Sequence, residues 1–119
     1  GFYHLWSSDN GRSWSAPKQL GDASSTHGDI VLDSKKALVA VWDMINPENN
    51  DGSTSIYSSW SSNGRDWSQP LIISVSDKSA SHPKIISTHA GPIVFWTQKE
   101  ASGESILSYK KLSSFSNKL

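Results

Sequence analysis

The chain has 119 residues and contains no cysteine. This absence excludes a disulfide framework, a thiolate metal site and a cysteine nucleophile. Neither sign of charge predominates, since 11 basic residues balance 11 acidic ones. Proteins that bind nucleic acid or anionic membranes usually carry a basic surface, so we expect neither partner. Apolar residues are also few, at 35% of the chain, and no run approaches the length of a membrane span.

The residues that are present indicate β-structure. Six tryptophans stand out in a chain that is otherwise rich in serine, and a few large apolar groups suit thin sheets packed face to face. The run 37–43 is almost continuously apolar, which predicts a strand with both faces covered. No segment has helical periodicity. Further strands are predicted at 2–6, 17–21, 29–33, 54–61, 71–74, 83–87, 92–97 and 105–111.

The chain repeats itself. Gly11 and Gly64 are 53 residues apart. The pair Trp14 and Trp67 and the pair Pro17 and Pro70 have the same spacing. The pair His27 and His82 is 55 residues apart. A period near 50 with four short strands per period is typical of the blades of a β-propeller. The alternative is an ordinary β-sandwich with chance similarity between its parts.

The repeated stretch carries a family resemblance. The pattern Ser7-x-Asp9-x-Gly11-x-Ser13-Trp14 resembles the Asp-box, or BNR repeat, of the sialidase superfamily. In that family the box closes the hairpin between the third and fourth strands of a blade, so the resemblance makes Asp9 a residue of the fold. The second copy departs from the pattern: Ser62 or Asn63 stands in place of the aspartate, and Asp66 takes the Ser/Thr position.

The resemblance implies an all-β, sialidase-like propeller of four-stranded antiparallel blades that is incomplete in this chain. Residues 1–21 would end one blade, residues 22–74 would form a complete blade, and residues 75–119 would form most of a third. A sialidase propeller has six blades. The remaining blades are therefore expected from a longer chain or from a homo-oligomer, and we favour the longer chain because the sequence starts and stops within a blade. A secreted, extracellular or periplasmic location is expected.

Candidate site residues lie at the end of the blade opposite the box turns, where propeller enzymes hold their sites. Asp43 follows the apolar strand and is the first candidate for a catalytic carboxylate, ahead of Asp29; each also has a plain structural interpretation, as a loop cap or a polar residue at a strand entry. His27 and His82 occupy equivalent positions, which favours a structural task but would also suit a ligand or a metal. The other candidates for ligand binding are Lys84, Trp42 and Trp96.

The family's catalytic residues are only partly accommodated. Sialidases clamp the substrate carboxylate with three arginines and use an Asp acid/base with a Tyr activated by a Glu. This chain has only Arg12 and Arg65, both in box turns, and its tyrosines, which fall at equivalent strand positions, are interpreted as packing residues.

We therefore predict a segment of a sialidase-like glycoside hydrolase that acts on glycans and lacks a complete active site by itself. The isolated chain is expected to be inactive. No cofactor and no metal ligand set are predicted. The alternatives are a non-catalytic propeller that binds glycans or proteins, closed by homo-oligomerisation in one version, and a scaffold segment without a ligand of its own.

Overall fold

A computed structural model of the chain describes residues 1–113. Within this range the protein is all-β, with nine strands in three sheets and every strand pair antiparallel. These residues form no α-helix, and so none that is long and apolar enough to cross a membrane. The predicted all-β class is confirmed.

The three sheets follow one another along the chain. The first sheet pairs β1 (Phe2–His4) with β2 (Lys18–Leu20). The second has the order β3-β4-β5-β6 and the third the order β7-β8-β9. The strands of the second sheet are β3 (Thr26–Leu32), β4 (Leu38–Ile45), β5 (Thr54–Ser61) and β6 (Leu71–Ile72); those of the third are β7 (Ser79–Ile86), β8 (Ile93–Lys99) and β9 (Ser105–Lys111).

Strand β4 is the centre of the core. Its alternate residues face opposite sides of the sheet, and both sides are buried: Val39 and Val41 on one face, and Ala40 and Trp42 on the other, have no exposed surface. The prediction of a strand covered on both faces is therefore confirmed. Toward the first sheet, the β4 residues Ala40, Trp42 and Met44 cluster with Leu20 and Tyr57. Toward the third sheet, Val39 and Val41 cluster with Ile56, Ala80, Ile85, Val94, Trp96 and Leu112.

The three tyrosines do not share one environment. Tyr57 is buried and pairs with Trp42 across β4 and β5. Tyr109 pairs with Phe95 instead, one position away from Trp96, so it faces the opposite side of its sheet and is 62% exposed. Tyr3 is 56% exposed. The expectation that these residues are equivalent packing residues is wrong for Tyr109, because a shift of one residue along a strand reverses the face. It is also wrong for Tyr3, for another reason: its neighbour Phe2 packs on Trp42, so Tyr3 lies on the face of the first sheet that is turned away from the second.

The turn at residues 7–14, called here the first box turn, is held in shape by hydrogen bonds to Asp9. Its Oδ1 accepts a hydrogen bond from the Ser13 backbone N–H (2.9 Å), and its Oδ2 accepts one from the Ser13 hydroxyl (2.6 Å). The Ser7 hydroxyl also donates to Asp9 and accepts from the Gly11 N–H. These bonds lower the pKa of Asp9 to about 2, with the Ser13 hydroxyl as the largest cause and the Ser13 N–H next.

The second box turn, at residues 61–67, is held by the pair Asn63 and Asp66. Asn63 takes the place of the aspartate: its Oδ1 accepts hydrogen bonds from the N–H groups of Arg65 (2.8 Å) and Asp66 (2.9 Å). Its Nδ2 then donates to the Asp66 carboxylate (2.9 Å). In the first turn the carboxylate accepts from a hydroxyl, whereas in the second an amide donates to a carboxylate. The departure of the second copy from the box pattern is thus a compensated exchange of donor and acceptor.

Candidate functional site

Two equivalent β-bulges bring His27 and His82 to one end of the sheets. In β3 the register passes from Thr26 opposite Asp43 to Asp29 opposite Val41, so two residues, His27 and Gly28, oppose one. The same irregularity places His82 and Pro83 opposite a single residue of β8. Both strands consequently begin several residues earlier than the sequence predicts, because a bulge lets pairing continue past an extra residue.

Both histidines have an unusual backbone conformation. His27 has a φ of 53° and His82 a φ of 56°. Residues that carry a Cβ rarely adopt this left-handed backbone conformation, which costs of order 1 kcal/mol for a residue that is not glycine. The next position is also constrained, since a Cβ at Gly28 would lie 2.2 Å from the ring of Phe2. The first sheet therefore packs directly against the His27 bulge.

The two imidazole rings are in contact. Their centroids are 3.9 Å apart and the rings are tilted by 35°. His27 is 49% exposed, and His82 is also exposed. The Nδ1 of His27 lies 2.9 Å from the Asp43 carboxylate, and the Nδ1 of His82 lies 3.0 Å from the Ser81 hydroxyl. With Nδ1 of each ring engaged, Nε2 is the nitrogen available to a ligand.

Asp43 is buried beneath the pair of rings and is only 2% exposed. Its Oδ2 accepts from the backbone N–H of His82 (2.8 Å) and contacts Nδ1 of His27, and its other oxygen accepts from the Thr26 hydroxyl. A carboxylate with three such partners fixes the orientation of His27 and joins β3 and β4 to β7. Asp43 thus acts on the site through His27 and does not itself face solvent.

Asp29 has a similar task. Its Oδ2 accepts a hydrogen bond from the Ile85 backbone N–H (3.0 Å), and its Oδ1 accepts one from the N–H of Ile30 (3.0 Å). Asp29 and Asp43 thus both accept from the backbone of β7 and hold the second and third sheets together. The structure brings Asp43, His27 and His82 into one cluster and places Asp29 further along β3, at the sheet-to-sheet contact.

The two predicted ligand-binding tryptophans lie in the core. Trp42 is 0% exposed and packs between Phe2, at 5.9 Å, and Tyr57, at 6.4 Å between ring centroids. Trp96 is 3% exposed and packs against the second sheet. A sugar could not stack on either indole ring in this chain, because the neighbouring sheets cover both tryptophans. Lys84, by contrast, is exposed on β7 at the position equivalent to Asp29.

A polar cleft of about 240 Å³ lies at the same end, where the loops after β4, β6 and β8 meet. Lys78 and Glu100 form an ion pair beside it. The hydrogen bond from Lys78 is the largest cause that lowers the pKa of Glu100. Sequence reasoning did not single out this pair, since neither residue belongs to a pattern. The other residues that line the cleft are Asp51, Asp77, Ser79, Lys99 and Ala101.

Sequence reasoning also missed Thr26 and Ser81. Each precedes a bulge histidine by one residue, and each hydroxyl binds within the cluster: Thr26 to Asp43, and Ser81 to His82. The repeated hydroxyl–histidine pair was the signal that could have identified them. Together these residues form a small imidazole-bearing rim supported from below by one buried carboxylate.

Comparison of the chain with protein-family models, curated proteins and solved structures found no match.

Proposed function

We propose that this chain is a segment of a sialidase-like β-propeller and that the complete propeller binds and hydrolyses glycans. The observation that carries the proposal is the box turn around Asp9 and its altered copy around Asn63. The first turn joins the two strands of the first sheet, and the second joins β5 and β6 of the second sheet. Successive antiparallel sheets stacked face to face, with turns of one kind at one end, are the arrangement expected of propeller blades.

The rim around His27 and His82 is where we propose that this chain contacts the glycan. Nδ1–H of His27 donates to Asp43, so its exposed Nε2 is a hydrogen-bond acceptor, and Lys84, exposed two residues beyond His82, supplies a donor. Such groups suit the hydroxyl and carboxylate groups of sugars. Asp43 positions His27 from below. The acid and the nucleophile of hydrolysis would come from other parts of the complete propeller, because Asp43 and Asp29 already accept hydrogen bonds from β7.

The test is an assay of the complete protein on sialosides and on other glycans, alongside the variants His27→Asn and His82→Asn. Asparagine tolerates the left-handed backbone and removes the ring. We expect turnover by the complete protein and at least a tenfold loss of kcat/KM in each variant. Absence of turnover on every glycan tested would rule out the hydrolase.

A second candidate is a non-catalytic glycan-binding propeller. The observation that favours it is that both candidate catalytic carboxylates are engaged in holding sheets together. It predicts glycan binding without turnover, measured by calorimetry on the glycans that fail as substrates. Binding that persists in Asp43→Asn, in a variant shown to be folded, would support this candidate over the hydrolase.

The proposal also requires further blades. On the third sheet, the face turned away from the second sheet carries Ile93, Phe95, Leu107 and Tyr109; Leu107 is 75% exposed. In the second sheet the equivalent face is covered by the third sheet at Val39, Val41 and Ile56, each 0% exposed. We propose that another sheet covers this face, supplied by a longer chain or by a second copy. Intact mass under denaturing conditions and then in solution separates the two sources, and a native monomer of this chain alone would contradict both.

A further inference from the structure

We propose that His27 and His82 form a binding site for a divalent transition metal, with both ligand nitrogens being Nε2 and with Asp43 as the supporting carboxylate. One ring nitrogen of each histidine and one carboxylate oxygen of Asp43 lie within 4.8 Å of one another. Imidazole nitrogen is a preferred ligand of Zn²⁺, Cu²⁺ and Ni²⁺. The inference stands on this geometry and does not depend on the glycan proposal.

The hydrogen bonds determine which atoms bind. Nδ1 of His27 faces Asp43 and Nδ1 of His82 faces Ser81, so Nε2 of each ring is left for the metal. A metal-bound histidine usually donates its other N–H to a carboxylate or another oxygen, which fixes the ring and increases its basicity. Asp43 is nearly fully buried and already accepts three hydrogen bonds, and this suits support of His27 better than direct coordination.

The rings are close enough to share one metal ion if they separate slightly. Two nitrogens on one tetrahedral Zn²⁺ are about 3.3 Å apart, given Zn–N bonds of about 2.0–2.1 Å, and this places the centroids of the two rings about 5 Å apart. The centroids lie 3.9 Å apart in the structure, so chelation requires the rings to move apart by about 1 Å. The exposed ring of His82 can turn while His27 keeps its contact with Asp43. Two protein ligands would leave the other positions of the metal open to water or to an oxygen ligand.

The backbone gives an independent reason to expect a ligand here. Two residues that are not glycine adopt the left-handed conformation at equivalent bulges, and both are histidines. Strained backbone of this kind concentrates at binding and catalytic sites, where it aims a side chain. At these two bulges it brings the two rings together over a single buried carboxylate.

The test titrates the full chain with Zn²⁺ alone by isothermal calorimetry, and compares it with His27→Asn, His82→Asn and Asp43→Asn. His89→Asn is the matched control, because His89 is exposed in a turn outside the cluster. We expect one Zn²⁺ per chain, at least a tenfold loss of affinity in each histidine variant, a loss of 10- to 100-fold in Asp43→Asn, and no change in the control. Far-UV circular dichroism checks that each variant is folded.

Two results would overturn the inference. One is the absence of saturable binding by the unaltered chain up to millimolar Zn²⁺, and the other is equal affinity in folded His27→Asn or His82→Asn. ¹⁵N chemical shifts of the rings give a second readout that needs no variant: Zn²⁺ should move Nε2 of both histidines and leave Nδ1 of His27 protonated. Glycan binding that persists in EDTA would leave the glycan proposal intact, and Zn²⁺ binding without glycan binding would leave the metal site intact.

Discussion

The second and third sheets present equivalent faces in unequal surroundings. On the second sheet, Val39 and Val41 face the third sheet and are fully buried. The same positions one repeat later are Ile93 and Phe95, which are only partly buried. Both faces are built from the same kinds of apolar residue, so the difference in burial comes from the neighbour and not from the strand.

The comparison shows that the burial of a repeated sheet depends on the sheets beside it. Apolar surface contributes about 25 cal/mol per Å² only when it leaves water. Strand β4 of the second sheet meets this condition on both faces, and strand β8 of the third sheet meets it on one. The outer face of the third sheet therefore keeps the composition of an interface without the layer that would cover it, which is the basis for proposing further sheets.

The largest difference in stability is expected when the same charged residue is placed at Val41 and, in a separate variant, at its equivalent Phe95. Val41→Asp buries a carboxylate without partners and should lower the free energy of unfolding by about 4 kcal/mol or more. Phe95→Asp alters a half-exposed contact with Tyr109, with rings 6.2 Å apart, and should cost about 1 kcal/mol. Urea denaturation followed by tryptophan fluorescence measures both. Equal losses would mean that the two faces are equally covered in solution.

The next effect concerns the carboxylate that joins the two sheets. Asp43→Asn removes the charge that accepts from His27, Thr26 and the His82 N–H. We expect a loss of about 2–3 kcal/mol in the free energy of unfolding. The matched change is Thr97→Asn, since Thr97 occupies the equivalent position on the third sheet and is exposed; its cost should be below about 0.5 kcal/mol. A similar cost at both positions would contradict the role of Asp43 as a link between sheets.

A smaller effect tests the exchanged pair in the two box turns. Asn63→Asp places a carboxylate opposite that of Asp66, where an amide now donates across 2.9 Å. The lost hydrogen bond and the repulsion should cost about 1 kcal/mol. Adding Asp66→Ser recreates the arrangement of the first turn and should restore most of the stability. A double-mutant cycle measures the coupling, and additive effects would mean that the pair is not a compensated exchange.

The smallest effect is the pH dependence of the first turn. The pKa of Asp9 in the folded chain is about 2, below its ordinary value of 3.8. A lowered pKa means that the charged form stabilises the fold above pH 4, and that this contribution is lost as the pH falls from about 4 to about 2. NMR titration of the side-chain carboxyl should give a midpoint near 2.

Ser13→Ala is the matched variant, because the Ser13 hydroxyl is the largest cause of the shift. The midpoint should rise toward the ordinary value, and Asp9→Asn should remove the corresponding part of the acid dependence of Tm. A midpoint near 3.8 in the unaltered chain would contradict the geometry of the turn.

Much of the fold was predictable because strand signals are local. The apolar run at 37–43 and the spacing of the turns placed the strands of all three sheets close to their observed positions. The starts of β3 and β7 were not predicted. Each depends on a histidine in a left-handed bulge, and hydrophobic alternation carries no sign of such a conformation.

The site was predictable only as a set of candidates. Asp43, His27 and His82 were named from their places near strand ends, and the structure brings them together. Trp42 and Trp96 were named for the same reason but lie in the core, because each faces a neighbouring sheet. The face on which a strand residue lies depends on register, and a single-residue shift reverses it, as Tyr57 and Tyr109 illustrate.

By itself, the sequence determined the all-β class, the repeat near 53 residues and the two box turns with their small polar and glycine residues. These features are set by interactions within a few residues, so they can be read from the chain. Tertiary structure alone decided that two histidines 55 residues apart have their ring centroids 3.9 Å from each other, above a carboxylate of a third strand. That meeting requires two sheets to pack in one register, and packing depends on all the apolar contacts between the sheets together.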